Sequence, residues 1–249
     1  MPYRRLPNTD QARLRALKTA LEMAAKTDLE RLPFSQHSLH SAKTFTPNFE
    51  SAIIQYRSAY RNQASKNSAY NEALKKARLY VSHFIQVLNF AIIRGEMKPE
   101  VREFYEINRN ERKVPSLALE SELLEWGKKV IEGDRKRVMK GGSPIYCPSI
   151  AVVKTRYDQF EDAYYHQKML QNITNRAADK VSELRPTSDE IILKIWNEVE
   201  EYFIDLPDEI RREKLKSWGV VYFYRPEEKK KLESAKLQGN IVFEENREC

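Results

Sequence analysis

From Asn48 to Arg94 the chain has neither glycine nor proline. Within that stretch Tyr70, Leu74, Ala77, Val81, Phe84, Leu88 and Ala91 recur at alternating spacings of four and three residues. This is the 3.5-residue period of an apolar seam that one helix presents to another. Unbroken, the helix would be roughly 70 Å long at 1.5 Å per residue. Its weak point is Ala64–Ala69, "ASKNSA", where serine and asparagine side chains compete for backbone hydrogen bonds. The pattern therefore fits one long helix or two collinear pieces. Thr46 suits the cap, Pro47 the first turn, and Gly95 the end.

A seam of that length requires partner helices, and the rest of the chain supplies them. Asp10–Leu32 carries Leu14, Leu17, Leu21, Ala25, Leu29 and Leu32 on one face, with Asn8 or Thr9 as cap. Residues 33–47 read as a polar connector. Pro99–Tyr105 reads as a short helix, and Leu117–Lys140 as a longer one. "KGGSPIYCPS" is the clearest break. Ser149 then caps a second long helix to about Leu184, and Pro186 is expected to stop it. Thr187-Ser188-Asp189-Glu190 has a capping-box pattern that would start another helix to Leu206. "LPNTDQARLRAL" and "RPTSDEIILKIW" look alike, which fits either tandem duplication or two well-capped helix starts. After a short basic helix from Pro207 to Trp218, Gly219 introduces "VVYFY", Val220–Tyr224, whose β-branched and aromatic residues predict a strand. Asn240–Glu244, "NIVFE", is its expected hairpin partner.

The expected fold is all-α: an elongated helical bundle, or two tandem bundles, with a small C-terminal β-hairpin or α/β appendage. The divisions fall at 1–114, 115–206 and 207–249. The seven glycines are expected at connectors.

Residues 1–114 hold 20 basic and 11 acidic side chains, against 23 and 25 in the remainder. The net charge of +7 therefore sits in the first half. That asymmetry suits an acidic partner, or simply a solvated helical surface. Two cysteines, Cys147 and Cys249, make no disulfide framework and fit a reducing compartment. The most apolar window, Tyr80–Ile93, is too short to span a bilayer and contains Ser82, His83, Gln86 and Asn89. A cytoplasmic protein without membrane attachment is expected.

Motifs of known chemistry are missing. Gly141-Gly142 lies between helices without the spacing of a phosphate loop. His37-x-x-His40 has ligand spacing but no cysteine or carboxylate beside it, so no metal site is expected. His83 reads as a core histidine and Cys147 as a small buried packing residue. No catalytic residues and no cofactor are assigned.

The leading expectation is a non-catalytic interaction or scaffold protein, with another protein or a second copy of itself as partner. Candidate binding residues are Tyr105, Arg109, Trp126, Arg137, Gly141 and Gly142, which lie on or beside connectors, and Tyr222, Tyr224 and Arg225 at the strand. Strand addition by a partner at Val220–Arg225 is weighed against a closed structural flap. The alternative is nucleic-acid binding through Arg57, Arg61, Lys75 and Arg78, with Tyr56 and Tyr60 beside the first two. A third reading is an enzyme without a linear motif.

"PYRRLPNTDQARLRAL", "RGEMKPEVREFY", "GGSPIYCPSI", "IWNEVE" and "WGVVYFYRPEEKKK" together resemble an uncharacterised family of bacterial all-helical proteins of about this length. The resemblance covers nearly the whole chain. It implies a helical bundle and a bacterial cytoplasmic setting, and carries over no activity, cofactor or binding residue.

Overall fold

Thr9 stops the extended entry of the chain and starts the first helix. Its hydroxyl accepts from the Ala12 backbone N–H at 3.2 Å, so one of the four unpaired N–H groups of a helix start is satisfied. The computed structural model describes residues 3–223. They form β1 (Tyr3–Arg4), α1 (Asp10–Ala25), a 3₁₀ turn (Leu29–Arg31), α2 (Gln36–Ile93), a 3₁₀ segment (Pro99–Tyr105), α3 (Glu120–Met139), α4 (Ile150–Tyr202), α5 (Asp208–Ser217) and β2 (Tyr222–Phe223). The fold is all-α, with one small antiparallel sheet.

The described residues divide into two compact units, one made of those up to 57 and from 176 onward, the other of residues 58–175. The boundaries fall inside α2 and α4, because each long helix contributes one end to each core. The first unit buries Leu14, Leu17 and Ala20 of α1 with Phe34, Ala42, Phe49 and Ile53, and with Ile192, Ile195, Trp196 and Val199 of α4. The second buries the seam residues Ala77, Val81, Phe84 and Leu88 with Tyr105, Leu123, Val130, Val153 and Phe160. Residues 64–69 do not interrupt α2, so it is one helix.

Two sequence expectations are overturned by tertiary packing. Residues 36–47 are helical, not a connector, and Pro47 lies inside α2. Ser35 starts this helix instead: its hydroxyl accepts from the Ser38 N–H at 3.2 Å, and Glu198 accepts from the Ser35 N–H at 2.8 Å. Pro186 likewise lies inside α4, so Thr187–Glu190 is helix interior and not a start. An interior proline costs about 3 kcal/mol, and burial on both flanks offsets it: Ala42 and Phe49 around Pro47, Val181 and Ile192 around Pro186. Ion pairs also hold the second site. Arg185 donates to both carboxylate oxygens of Asp10 at 2.8 and 3.0 Å, and Arg13 to both of Asp189 at 2.8 and 2.9 Å. The two look-alike segments thus meet and exchange reciprocal bidentate pairs.

The strand acquires a partner the sequence pattern does not mark. β2 pairs with β1, Tyr3 opposite Phe223 and Arg4 opposite Tyr222. The expected partner Asn240–Glu244 lies outside the described residues, as do Tyr224 and Arg225. The glycines depart from expectation too. Gly127 and Gly133 lie within α3, where an added Cβ would meet the Tyr157 ring at 2.1 Å and the Phe104 carbonyl oxygen at 2.5 Å. No helix among the described residues is long and apolar enough to cross a membrane.

Candidate anion-binding site

The end of α2 is built so that the chain turns back at once. Gly95 takes a φ of 77°, the left-handed conformation glycine adopts without a side-chain penalty. Its N–H donates to Ile92 O at 3.1 Å, and the Glu96 N–H to Ala91 O at 3.0 Å, which is a Schellman closure. Pro99 then opens the 3₁₀ segment. Three residues make one turn of a 3₁₀ helix, so side chains at i and i+3 share a face. Arg102 and Tyr105 therefore point inward together, 3% and 0% exposed.

Tyr105 enters a buried network. Its hydroxyl donates to Asp134 Oδ1 at 2.8 Å and accepts from Arg137 Nε at 2.9 Å. Arg137 Nη2 donates to the same Asp134 oxygen at 2.7 Å, and Nη1 to Ser143 O at 2.7 Å. Burial pushes the Tyr105 hydroxyl pKa above its ordinary range, and the Asp134 carboxylate adds to the shift. Gly142 lies against the Arg137 side chain, where a Cβ would sit 2.8 Å from Nη1. The network pins the 3₁₀ segment to α3 and to the loop after it.

Arg102 is held differently. Its Nε donates to Asn89 Oδ1 at 3.0 Å and its Nη1 to Arg109 O at 2.8 Å. Asn89 in turn donates to Arg112 O at 3.2 Å. Both acceptors of Arg102 are neutral, and no carboxylate among the described residues pairs with it. A guanidinium stays charged at any ordinary pH, and a buried charge without a counter-charge costs several kcal/mol, on the order of a broken buried pair. The last turn of α2 lines the same place, and its negative dipole end recovers part of that cost.

The guanidinium borders a cleft of about 590 Å³ lined by Ile92, Ile93, Pro99, Arg102, Arg109, Asn110 and Arg112. All three ionisable side chains in the lining are arginines. Arg109 pairs with Glu103, whose carboxyl it holds below the usual range, and Glu100 adds a weaker Coulombic contribution. Arg112 is exposed and makes no side-chain ion pair with a described residue. Arg102 is therefore the buried cation of the cleft without a carboxylate partner among the described residues, and Arg112 adds a solvated charge at its wall.

Of the sequence candidates, the structure brings Tyr105, Arg137 and Gly142 into one network and places Arg109 at the cleft. Gly141, with φ 86°, closes α3. Trp126 packs at the edge of the second core, with the Lys129 ammonium 4.8 Å above its ring. Tyr222 donates to Glu200 at 2.5 Å, far along the chain from the cleft. Arg57, Arg61 and Lys75 are exposed on α2, and Arg78 donates to Ala118 O at 2.9 Å. His83 and Cys147 are exposed rather than buried. Sequence reasoning missed Arg102, Asn89 and Asp134, and offered Arg112 only within the basic run Arg109–Lys113. A larger cleft of about 640 Å³ in the first unit also carries cations, Arg5, Arg15 and Lys216, but all three are exposed and water already solvates them. Among the described residues no group of three His, Cys, Asp or Glu side chains converges as a metal site. No protein-family model, curated protein or solved structure matches the chain.

Proposed function

We propose that the chain is a non-catalytic binding protein that takes up an anion at the Arg102 cleft. The observation that carries this reading is an arginine 3% exposed, its guanidinium bonded only to neutral acceptors, at the wall of an open cleft. An incoming anion would supply the missing counter-charge, and Arg–anion hydrogen bonds are about twice as strong as neutral ones. Binding fits the lining better than turnover does. Arginines do not exchange protons near neutral pH, and proton transfer needs a group that does. Two cysteines without a disulfide framework fit a reducing compartment, and a bacterial cytoplasm is the setting proposed for this binding.

Calorimetric titration of the full chain with inorganic phosphate tests the reading. Saturable binding is expected, with loss of at least about tenfold in affinity for Arg102→Met. Equal heats for wild type and variant would refute it.

Nucleic-acid binding is a second reading, supported by Arg57, Arg61 and Lys75, which stand exposed on α2 without a carboxylate partner among the described residues. It expects Arg57→Ala with Arg61→Ala to weaken binding of a single-stranded oligonucleotide and to flatten its salt dependence. Unchanged binding would remove it.

A further inference from the structure

Resting on the anion reading above, we infer that the ligand of the Arg102 cleft is the phosphate monoester of a small organic molecule. The charge count argues for a dianion. Arg102 and Arg112 have no carboxylate partner among the described residues, whereas Arg109 pairs with Glu103. A phosphate monoester carries close to two negative charges at neutral pH, and a diester or a carboxylate carries one.

Shape argues in the same direction. Arg102 presents its guanidinium from the 3₁₀ segment, while Arg109, Asn110 and Arg112 come from the loop after it. Two guanidinium forks on different backbone elements suit a tetrahedral group with three terminal oxygens, each able to accept from a different donor. One planar carboxylate meets a single fork.

The remaining wall describes the rest of the ligand. Ile92, Ile93 and Pro99 form an apolar side to the cleft, and Ile93 is 61% exposed, so an organic group can cover it. About 590 Å³ is the size of a small-molecule site. No aromatic ring lines it, so the stacking that holds single-stranded nucleic acids is not available there.

The test is a titration panel on the full chain: phenyl phosphate, dimethyl phosphate, phenylmalonate, and an octathymidylate without terminal phosphate. Variants are Arg102→Met, Arg112→Ala and Glu103→Gln, each checked for helical circular dichroism. Phenyl phosphate should bind at least about tenfold tighter than each of the others, one charge or one fork being worth roughly that factor. Arg102→Met and Arg112→Ala should each lose that preference. Glu103→Gln, which frees Arg109, should tighten phenyl phosphate binding. Arg112 is exposed, so its variant stays informative even if Arg102→Met fails to fold. Equal affinity for the diester, the dicarboxylate or the oligonucleotide, still lost in Arg112→Ala, would overturn the monoester inference and leave the anion reading standing. Absence of binding by every probe, or binding indifferent to both arginine substitutions, would overturn both.

Discussion

Replacing Asp134 by alanine removes the only carboxylate from a fully enclosed network. Asp134 and Arg137 have side chains 2% and 3% exposed, and Tyr105 is 0% exposed. In the variant Arg137 keeps its bond to Ser143 O and its contact with the Tyr105 hydroxyl. Its counter-charge at 2.7 Å is gone, and water cannot replace it without opening the junction of α3 with the 3₁₀ segment. Losing one partner of a buried pair costs about 3–5 kcal/mol, against a total stability on the order of 5–15 kcal/mol. For a chain of this length that is a fall in Tm of roughly 6–20 °C. Urea and thermal unfolding followed by helical circular dichroism measure it. Removing both partners, Asp134→Leu with Arg137→Met, should cost less than Asp134→Ala alone, because no charge is left stranded. A single-variant loss below about 1 kcal/mol, within the range of exposed ion pairs, would refute the reasoning.

Gly133→Ala sets a helix-propensity gain of about 1 kcal/mol against a Cβ placed 2.5 Å from the Phe104 carbonyl oxygen. Backbone must move, overpacking of this kind costs about 1–3 kcal/mol, and thermal unfolding should show net destabilisation. In double-mutant cycles the Arg13–Asp189 pair, with Arg13 12% exposed, should couple more strongly than Asp10–Arg185, with Arg185 45% exposed. Values near 1 and below 0.5 kcal/mol are expected, and the reverse order would contradict the geometry. Alkaline stability follows from four phenols whose pKa values are raised above the ordinary one, chiefly by burial: Tyr70, Tyr105, Tyr157 and Tyr222. A raised folded pKa leaves the stability contribution intact below the unfolded value of about 10 and removes it as pH climbs further. Phenolate absorbance of the native protein should therefore lag that of the urea-unfolded chain above about pH 10, and coincident titration would contradict this.

The seam of α2 was legible because periodicity reports burial directly: Ala77, Val81, Phe84 and Leu88 are all 0% exposed. The start of α1 was legible too, as a cap at Asn8 or Thr9, and the structure puts it at Thr9. What sequence could not convey was where packing overrides a local stop signal. Pro47 and Pro186 look like boundaries, yet apolar residues continue on both sides of each at helical spacing. The β character of Tyr222–Phe223 is legible, but its pairing with β1 is not, since two residues of "YR" near the N-terminus carry almost no pattern. Asp134 was hidden in "EGDRKR", which reads as a solvated face. Arg102 was hidden in "PEVREFY", although its three-residue spacing from the candidate Tyr105 was a usable signal. The neutral cradle around Arg102, made by Asn89 and the Arg109 carbonyl, exists only after the turn at Gly95 closes.

The most direct test of the anion site is a crystal of the full chain grown with tungstate, a tetrahedral dianion whose anomalous scattering marks its position. The account predicts a peak in the cleft within hydrogen-bonding distance of the Arg102 guanidinium, with Arg112 turned toward it, and no such peak in Arg102→Met. A cleft without tungstate at saturating concentration, or a peak that persists in the variant, would contradict it.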